Sequence, residues 1–112
     1  MTVRSLTRAA GFQILALPDG DREIEGVYAG DLLSWVMGRA KEGQAFVTIM
    51  TNINVLAVAS LLDLSCVILC EDAEVPESLI DSAAEKGINL LKTDHPCYET
   101  CVLLSGLLGN AS

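Results

Sequence analysis

The sequence predicts an α/β domain, a layered fold with a mostly parallel sheet flanked by helices. The first observation is the stretch Ala45–Cys70, which runs AFVTIM, a polar TNIN turn, the apolar segment VLAVASLLDLS and then CVILC. The two flat runs are too short for helices and rich in Val and Ile, as buried strands are. A helix-length crossover between two buried strands makes a βαβ unit. The second observation is that the alternation continues through a helix to Lys86, an apolar run and a last helix. The second half is therefore β-α-β-α-β-α, with right-handed crossovers.

Taken in order, Thr2 caps a short helix that carries Val3, Leu6 and Ala10 on one face, and Gly11 ends it. Phe12–Leu17 is a strand. Pro18-Asp19-Gly20-Asp21 is a turn, because Pro presets φ, Asp bonds its own backbone and Gly accepts positive φ. Arg22–Tyr28 is extended, with Ile24 and Tyr28 on one face and Gly26 as a weak point. Gly30-Asp31 opens the next helix, with Asp31 as N-cap or first-turn acid. Leu33, Val36, Met37 and Ala40 follow at helical spacing, and Glu42-Gly43 closes the element. Beyond the central unit, Glu71–Glu74 is an acidic loop. Pro76 starts a helix through Lys86 with Leu79, Ile80 and Ala83 inward, and Gly87 terminates it. Ile88–Leu91 is a third buried strand. Thr93-Asp94 caps a final helix that has Pro96 near its start and reaches Leu108, leaving Asn110–Ser112 frayed.

At 112 residues the chain is one domain, 1–112. It is 51% apolar with a mean hydropathy of +0.43. The longest apolar run, Val55–Leu62, is broken by Ser60 and stopped by Asp63, well short of the roughly 18 residues that cross a bilayer. MTVRSLTRAAG has two arginines but no apolar core, so no signal peptide is expected and the predicted location is cytoplasmic. Seven basic against fifteen acidic residues give a net charge of −8, which argues against a nucleic-acid partner. The four cysteines, in a chain that is not loop-rich, are expected as reduced thiols.

GVYAGDLL (Gly26–Leu33), AFVTIM with its TNIN turn, CVILC, and PESLIDSAAEKGINLLKTD with the closing helix together resemble the DRTGG domain. The resemblance covers residues 26–108. DRTGG modules stand beside the kinase domain of HPr kinases, in phosphotransacetylases and in CBS-domain pyrophosphatases. They are regarded as regulatory or dimerising units, which implies a fold like the HPr kinase N-terminal domain and a non-catalytic role. The signature Asp-Arg pair falls near Thr51-Asn52, and the Thr-Gly-Gly is replaced by Cys70-Glu71-Asp72, so a site built on those residues in relatives is not repeated here. A Gly-Lys-Ser/Thr phosphate loop is lacking, so a kinase activity is not expected.

Ligands of parallel α/β sheets sit beyond the carboxyl ends of the strands. Three loops fall there, Thr51–Asn54, Glu71–Glu74 and Thr93–Pro96. They make Thr51, Asn52, Asn54, Asp72, Thr93 and Asp94 the candidate ligand residues. The first loop offers amides at a helix start, suited to an anion, so a small ligand is expected at the Thr51–Asn54 edge near the start of the last helix; ordinary capping by Asn52 or Asn54 is the competing account. The acidic loop disfavours bare phosphate unless a divalent metal bridges, and its competing account is a solvated loop with first-turn acids. A nucleotide is the ligand class considered, with no resident cofactor. The alternative is a metal- or redox-active protein using Cys70, His95, Cys97 and Cys101, because Cys97 and Cys101 share a helix face near the Cys70 strand end. That spacing matches no metal signature, and Cys66 and Cys70 stand about 13 Å apart along a strand. Buried cysteines also serve as small hydrophobes. No nucleophile–base–orienter set is evident, so an enzyme using the acidic edge has the least support.

Assembly is the last expectation. The helix Val55–Leu62 is apolar nearly all round: Val55, Ala59 and Leu62 cover the sheet, while Leu56 and Val58 or Leu61 point elsewhere. The final helix repeats this with Val102, Leu103, Leu104, Leu107 and Leu108. A homodimer is predicted to cover the remainder, with a larger enzyme as a further candidate partner, and the competing account is cover from the N-terminal half of the same chain.

Overall fold

The computed structural model describes residues 1–109. In chain order the elements are α1 (Val3–Ala10), β1 (Gln13–Ala16), β2 (Val27–Ala29), α2 (Leu33–Arg39) and β3 (Ala45–Thr48). They continue with α3 (Asn54–Leu61), β4 (Cys66–Leu69), α4 (Glu77–Lys86), β5 (Leu90–Lys92) and α5 (Cys97–Leu107). The fraying expected at Asn110–Ser112 lies outside the described residues.

The five strands form one sheet in the order β1-β5-β4-β3-β2. β2, β3, β4 and β5 are parallel, and only β1 runs against its neighbour β5. Each parallel strand lies next to the one before it, so the three crossovers advance in one direction. Crossovers of one hand then place α2, α3 and α4 on one face. Val36, Val55, Leu56, Leu79 and Ala83 from these helices pack with Phe46, Val67, Leu69 and Leu90. The other face belongs to α1 and α5, where Val3, Leu6 and Leu104 pack with Val47, Cys66, Ile68, Cys70 and Leu91. The alternation of strand side chains between the two clusters is the period-two pleat.

Local chemistry sets most boundaries as the sequence predicts. Thr2 and Ser5 form a reciprocal capping box at α1, and Gly11 (φ 70°) ends it in the left-handed region. Gly87 (φ 74°) ends α4 in the same way, and the Ile88 N–H then bonds the Ala83 carbonyl. That bond delays the third predicted strand, so β5 begins at Leu90 rather than Ile88.

Other expectations are corrected. Arg22–Tyr28 is a strand only over Val27–Ala29, because Glu23 bridges to Thr2, the Arg22 guanidinium turns to Asp63, and Gly26 adopts φ 153°. Asp31 does not cap α2, which has Leu32 at that position without a side-chain bond. The Asp31 carboxylate instead accepts from Thr48 Oγ1 (2.8 Å) and the Ile49 N–H (3.0 Å), tying the β2 exit to the β3 exit. Met37 is exposed rather than inward. Leu56 and Val58, expected to point away from the core, are buried within the chain, because α2 and α4 flank α3 on either side.

One buried polar side chain holds the amino end of the sheet. Asn89 is 2% exposed; its Oδ1 accepts the Asp19 N–H (3.0 Å), and its Nδ2 donates to the carbonyls of Asp19 (2.8 Å) and Ser65 (3.0 Å). Truncation would leave those backbone groups short of partners. Asn89→Ala is expected to destabilise by about 1–3 kcal/mol, read as a lowered urea midpoint at unchanged slope. A change below half a kcal/mol would show that water replaces the side chain at no cost.

Candidate functional site

The parallel strands open at their carboxyl ends into loops that the backbone stitches together. After β4 the chain turns sharply, with Glu71 (φ 65°) and Asp72 (φ 51°) both left-handed. Side chains other than glycine adopt that region at a cost of roughly 1–2 kcal/mol each. Four interactions hold the turn. The Glu71 N–H donates to the His95 carbonyl (2.8 Å) and the Asp72 N–H to the Thr93 carbonyl (3.1 Å). The Glu71 carboxylate accepts the Cys97 N–H (3.1 Å), and Asp72 Oδ1 lies 3.4 Å from Lys92 Nζ.

Glu71 is thereby the N-terminal cap of α5, supplied from a distant loop; Pro96 at the flanking position makes no side-chain cap. Thr93-Asp94 does not cap that helix. Thr93 Oγ1 accepts the His95 N–H (3.2 Å) and shapes the turn before it, while Asp94 is exposed. At the other loop Ile53 is already helical and contributes no cap, and Asn52 Oδ1 accepts the Asn54 N–H (2.9 Å). Asn52 thus turns its side-chain oxygen to the first amide of α3.

Between the β5 exit and the start of β1 lies a cleft of about 290 Å³, lined by Gly11, Gln13, Asp72, Lys92, Thr93, Asp94 and His95. Three of the six candidate residues, Asp72, Thr93 and Asp94, meet there; Thr51, Asn52 and Asn54 do not line it. Gln13 and Gly11 enter because β1 is antiparallel, with Gln13 opposite Lys92, so the beginning of β1 lies at the end of β5. The walls carry both signs of charge: carboxylates from Asp72 and Asp94, the Lys92 ammonium, and the His95 ring, whose Nδ1 is 3.9 Å from Glu99 Oε2. A second hollow of about 330 Å³ is largely apolar, lined by Tyr28, Leu32, Trp35 and Val36 around Asp31. Arg39 stacks over the Trp35 ring at 3.9 Å.

The cysteines divide between core and surface. Cys66 and Cys70 are fully buried, whereas Cys97 and Cys101 are partly exposed on α5. Cys70 Sγ donates to the Thr48 carbonyl (3.6 Å), and Cys97 and Cys101 pack against the buried cluster that contains Cys70. His95 turns to Glu99 instead. Among the described residues no group of three or more His, Cys, Asp or Glu side chains is arranged to hold a metal ion, so the four-residue metal set does not come together.

Burial pushes the Cys66 thiol up to about 12; burial, followed by the neighbouring Cys97, does the same to Cys70. Burial raises Cys101 as well. At pH 8 a thiol of pKa about 12 is ionised only about once in 10⁴ molecules, and the thiolate is the reactive form. Iodoacetamide at pH 8 is therefore expected to leave Cys66 and Cys70 unmodified in the folded protein and to label them on unfolding in urea. Labelling of either in the native state at the rate of a free thiol would contradict this environment.

No protein-family model matches the sequence, and no curated protein matches it. Among solved structures, the fold is similar to the CBS and DRTGG domains of the regulatory region of Clostridium perfringens pyrophosphatase, a structure complexed with the activator diadenosine tetraphosphate. The TM-score is 0.71 at 13% sequence identity, over 92% of this chain and 45% of that one. The chain thus spans less than half the length of the structure it matches. The fold is DRTGG-like, as the resemblance implies.

Proposed function

We propose that this chain is a non-catalytic regulatory module that senses a small polar ligand, with a nucleotide as the first candidate, and that it works as a homodimer. The observation that carries the reading is the mixed-charge cleft at the β5 exit, where Asp72, Thr93 and Asp94 converge with Lys92 and His95. Support comes from the likeness of fold to a regulatory region, not a catalytic one, whose structure contains a nucleotide activator. A bare polyphosphate would face the Asp72 and Asp94 carboxylates, so the nucleotide is expected to arrive with Mg²⁺ that shields them. Lys92 then meets the phosphate and Gln13 the remaining polar edge.

Diadenosine tetraphosphate and ATP, titrated with and without Mg²⁺, test the site through backbone amide shifts. Shifts centred on Asp72 and Thr93–His95, present only with Mg²⁺ and weakened at least tenfold by Lys92→Ala, are expected. Shifts confined to the opposite sheet edge, or none with either probe, would retire the nucleotide reading.

The homodimer reading rests on α5. Tyr98 (78% exposed) and Val102 (51%) stand one turn apart on the same side of that helix, an apolar pair turned to solvent. Sedimentation equilibrium at micromolar concentration is expected to give twice the 11.9 kDa chain mass, and Val102→Glu to return the monomer with its helical circular dichroism intact. A clean 11.9 kDa species for the unsubstituted chain would instead show that it needs no second copy.

A further inference from the structure

The thiols at the start of α5 form a cluster that the ligand cleft does not use. Cys97 is the first residue of α5, is partly exposed, and packs with Cys101, one turn on, against the buried cluster that contains Cys70, the residue that follows β4. A disulfide requires Cβ atoms about 3.5–4.5 Å apart. Helix positions i and i+4 hold their Cβ atoms about 5–6 Å apart, so Cys97 and Cys101 cannot join without unwinding the first turn of α5. No such restriction applies between Cys97 and Cys70, which sit on different elements. The loops on either side are already tied by the bonds from Glu71 to the His95 carbonyl and to the Cys97 N–H.

We propose that Cys97 is a site of oxidation by hydroperoxides and that Cys70 is its resolving partner, so that oxidation closes a Cys70–Cys97 disulfide across the β4 and β5 exit loops. In the first step the Cys97 sulfur attacks one peroxide oxygen, the O–O bond breaks, and the departing hydroxide takes the thiol proton to leave as water. The Cys97 sulfenic acid is then attacked by the Cys70 sulfur. The S–S bond forms, the S–O bond breaks, and the leaving hydroxide takes the Cys70 proton as a second water. Two thiols lose two electrons and two protons, and one hydrogen peroxide becomes two waters. Cys70 is buried, so the oxidant reaches Cys97 first; packed in the same cluster and next in sequence to Glu71, whose carboxylate holds the Cys97 N–H, Cys70 needs no diffusional encounter. Cys66 is buried further back along β4 and takes no part. The link brackets Glu71, Asp72 and Thr93–Pro96, so it fixes one wall of the cleft.

The experiment exposes the whole folded chain to hydrogen peroxide, counts thiols after unfolding, and maps the linked peptides by mass spectrometry. The four thiols are expected to fall to two, with a Cys70–Cys97 cross-linked peptide that dithiothreitol releases. Cys101→Ser, at a partly exposed position, is expected to lose two thiols as well, whereas Cys97→Ser retains its remaining thiols. A Cys97–Cys101 link, a link between two chains, Cys97 sulfinic acid without any link, or retention of all four thiols would each overturn the proposal. The peptide map of the unsubstituted chain reads the outcome without depending on how any variant folds.

Discussion

Two strands whose side chains are buried throughout, Ala45–Thr48 and Cys66–Leu69, need apolar cover on both sides of the sheet, and that need sets the rest of the structure. Three crossover helices of one hand can supply only one face. The opposite face, with Val47, Cys66, Ile68 and Cys70, has to be covered by segments outside the crossovers. The chain meets this demand at its two ends: α1 comes before the first strand and α5 after the last. β1 then fills the free side of β5 and must run antiparallel, because α1 hands the chain back at the carboxyl edge of the sheet.

The same arrangement creates the candidate site. For α5 to reach the second face, the chain must leave β5 and turn over the carboxyl edge, where the β4 exit loop is already in place. The two loops interlock through Glu71, Asp72, Thr93 and His95. Two left-handed non-glycine residues are the local cost, offset by backbone bonds and by a carboxylate cap on a helix that otherwise lacks a side-chain cap. A rigid polar rim results, with the Asp72–Lys92 pair on one side and the start of β1 on the other. The feature that the fold requires and the feature that suits a ligand are one set of residues.

Much of this is legible in the sequence, because burial on both faces leaves unbroken Val/Ile runs and helix ends carry their own signals. Thr2, Gly11, Pro76 and Gly87 all act locally, through φ, a missing N–H or a side chain two or three residues away. What escapes is long-range. Glu71 lies 26 residues before the amide it caps, and nothing in its neighbourhood distinguishes it from the other acids of its loop. Asp31 stands beside a helix start in the sequence, yet its carboxylate accepts from Thr48 across the sheet edge. Gly11 and Gln13 join the cleft only through the antiparallel pairing of β1, for which the sequence carries no marker. Half of the candidate set, Asp72, Thr93 and Asp94, was reachable from the rule about strand carboxyl ends. That rule cannot say that the Thr51–Asn54 loop, at the same edge, stays out of the cleft.

The two apolar helices show how position within the layers decides the fate of similar patterns. Neither α3 nor α5 has a polar stripe wide enough to mark a solvent side. α3 lies between α2 and α4, so Leu56 and Val58 are covered from the flanks and only Leu61 stands well out, 71% exposed. α5 shares its face with the short α1 alone. Its Leu104 is sealed against the sheet, Leu103, Leu107 and Leu108 are half covered, and Tyr98 and Val102 are left outside. The surplus hydropathy of the chain is therefore absorbed where three helices lie side by side and left over where two must cover the same sheet. Any case for a second subunit rests on the α5 side and on the Leu32–Trp35 corner, and α3, the most apolar segment of the sequence, contributes little to it.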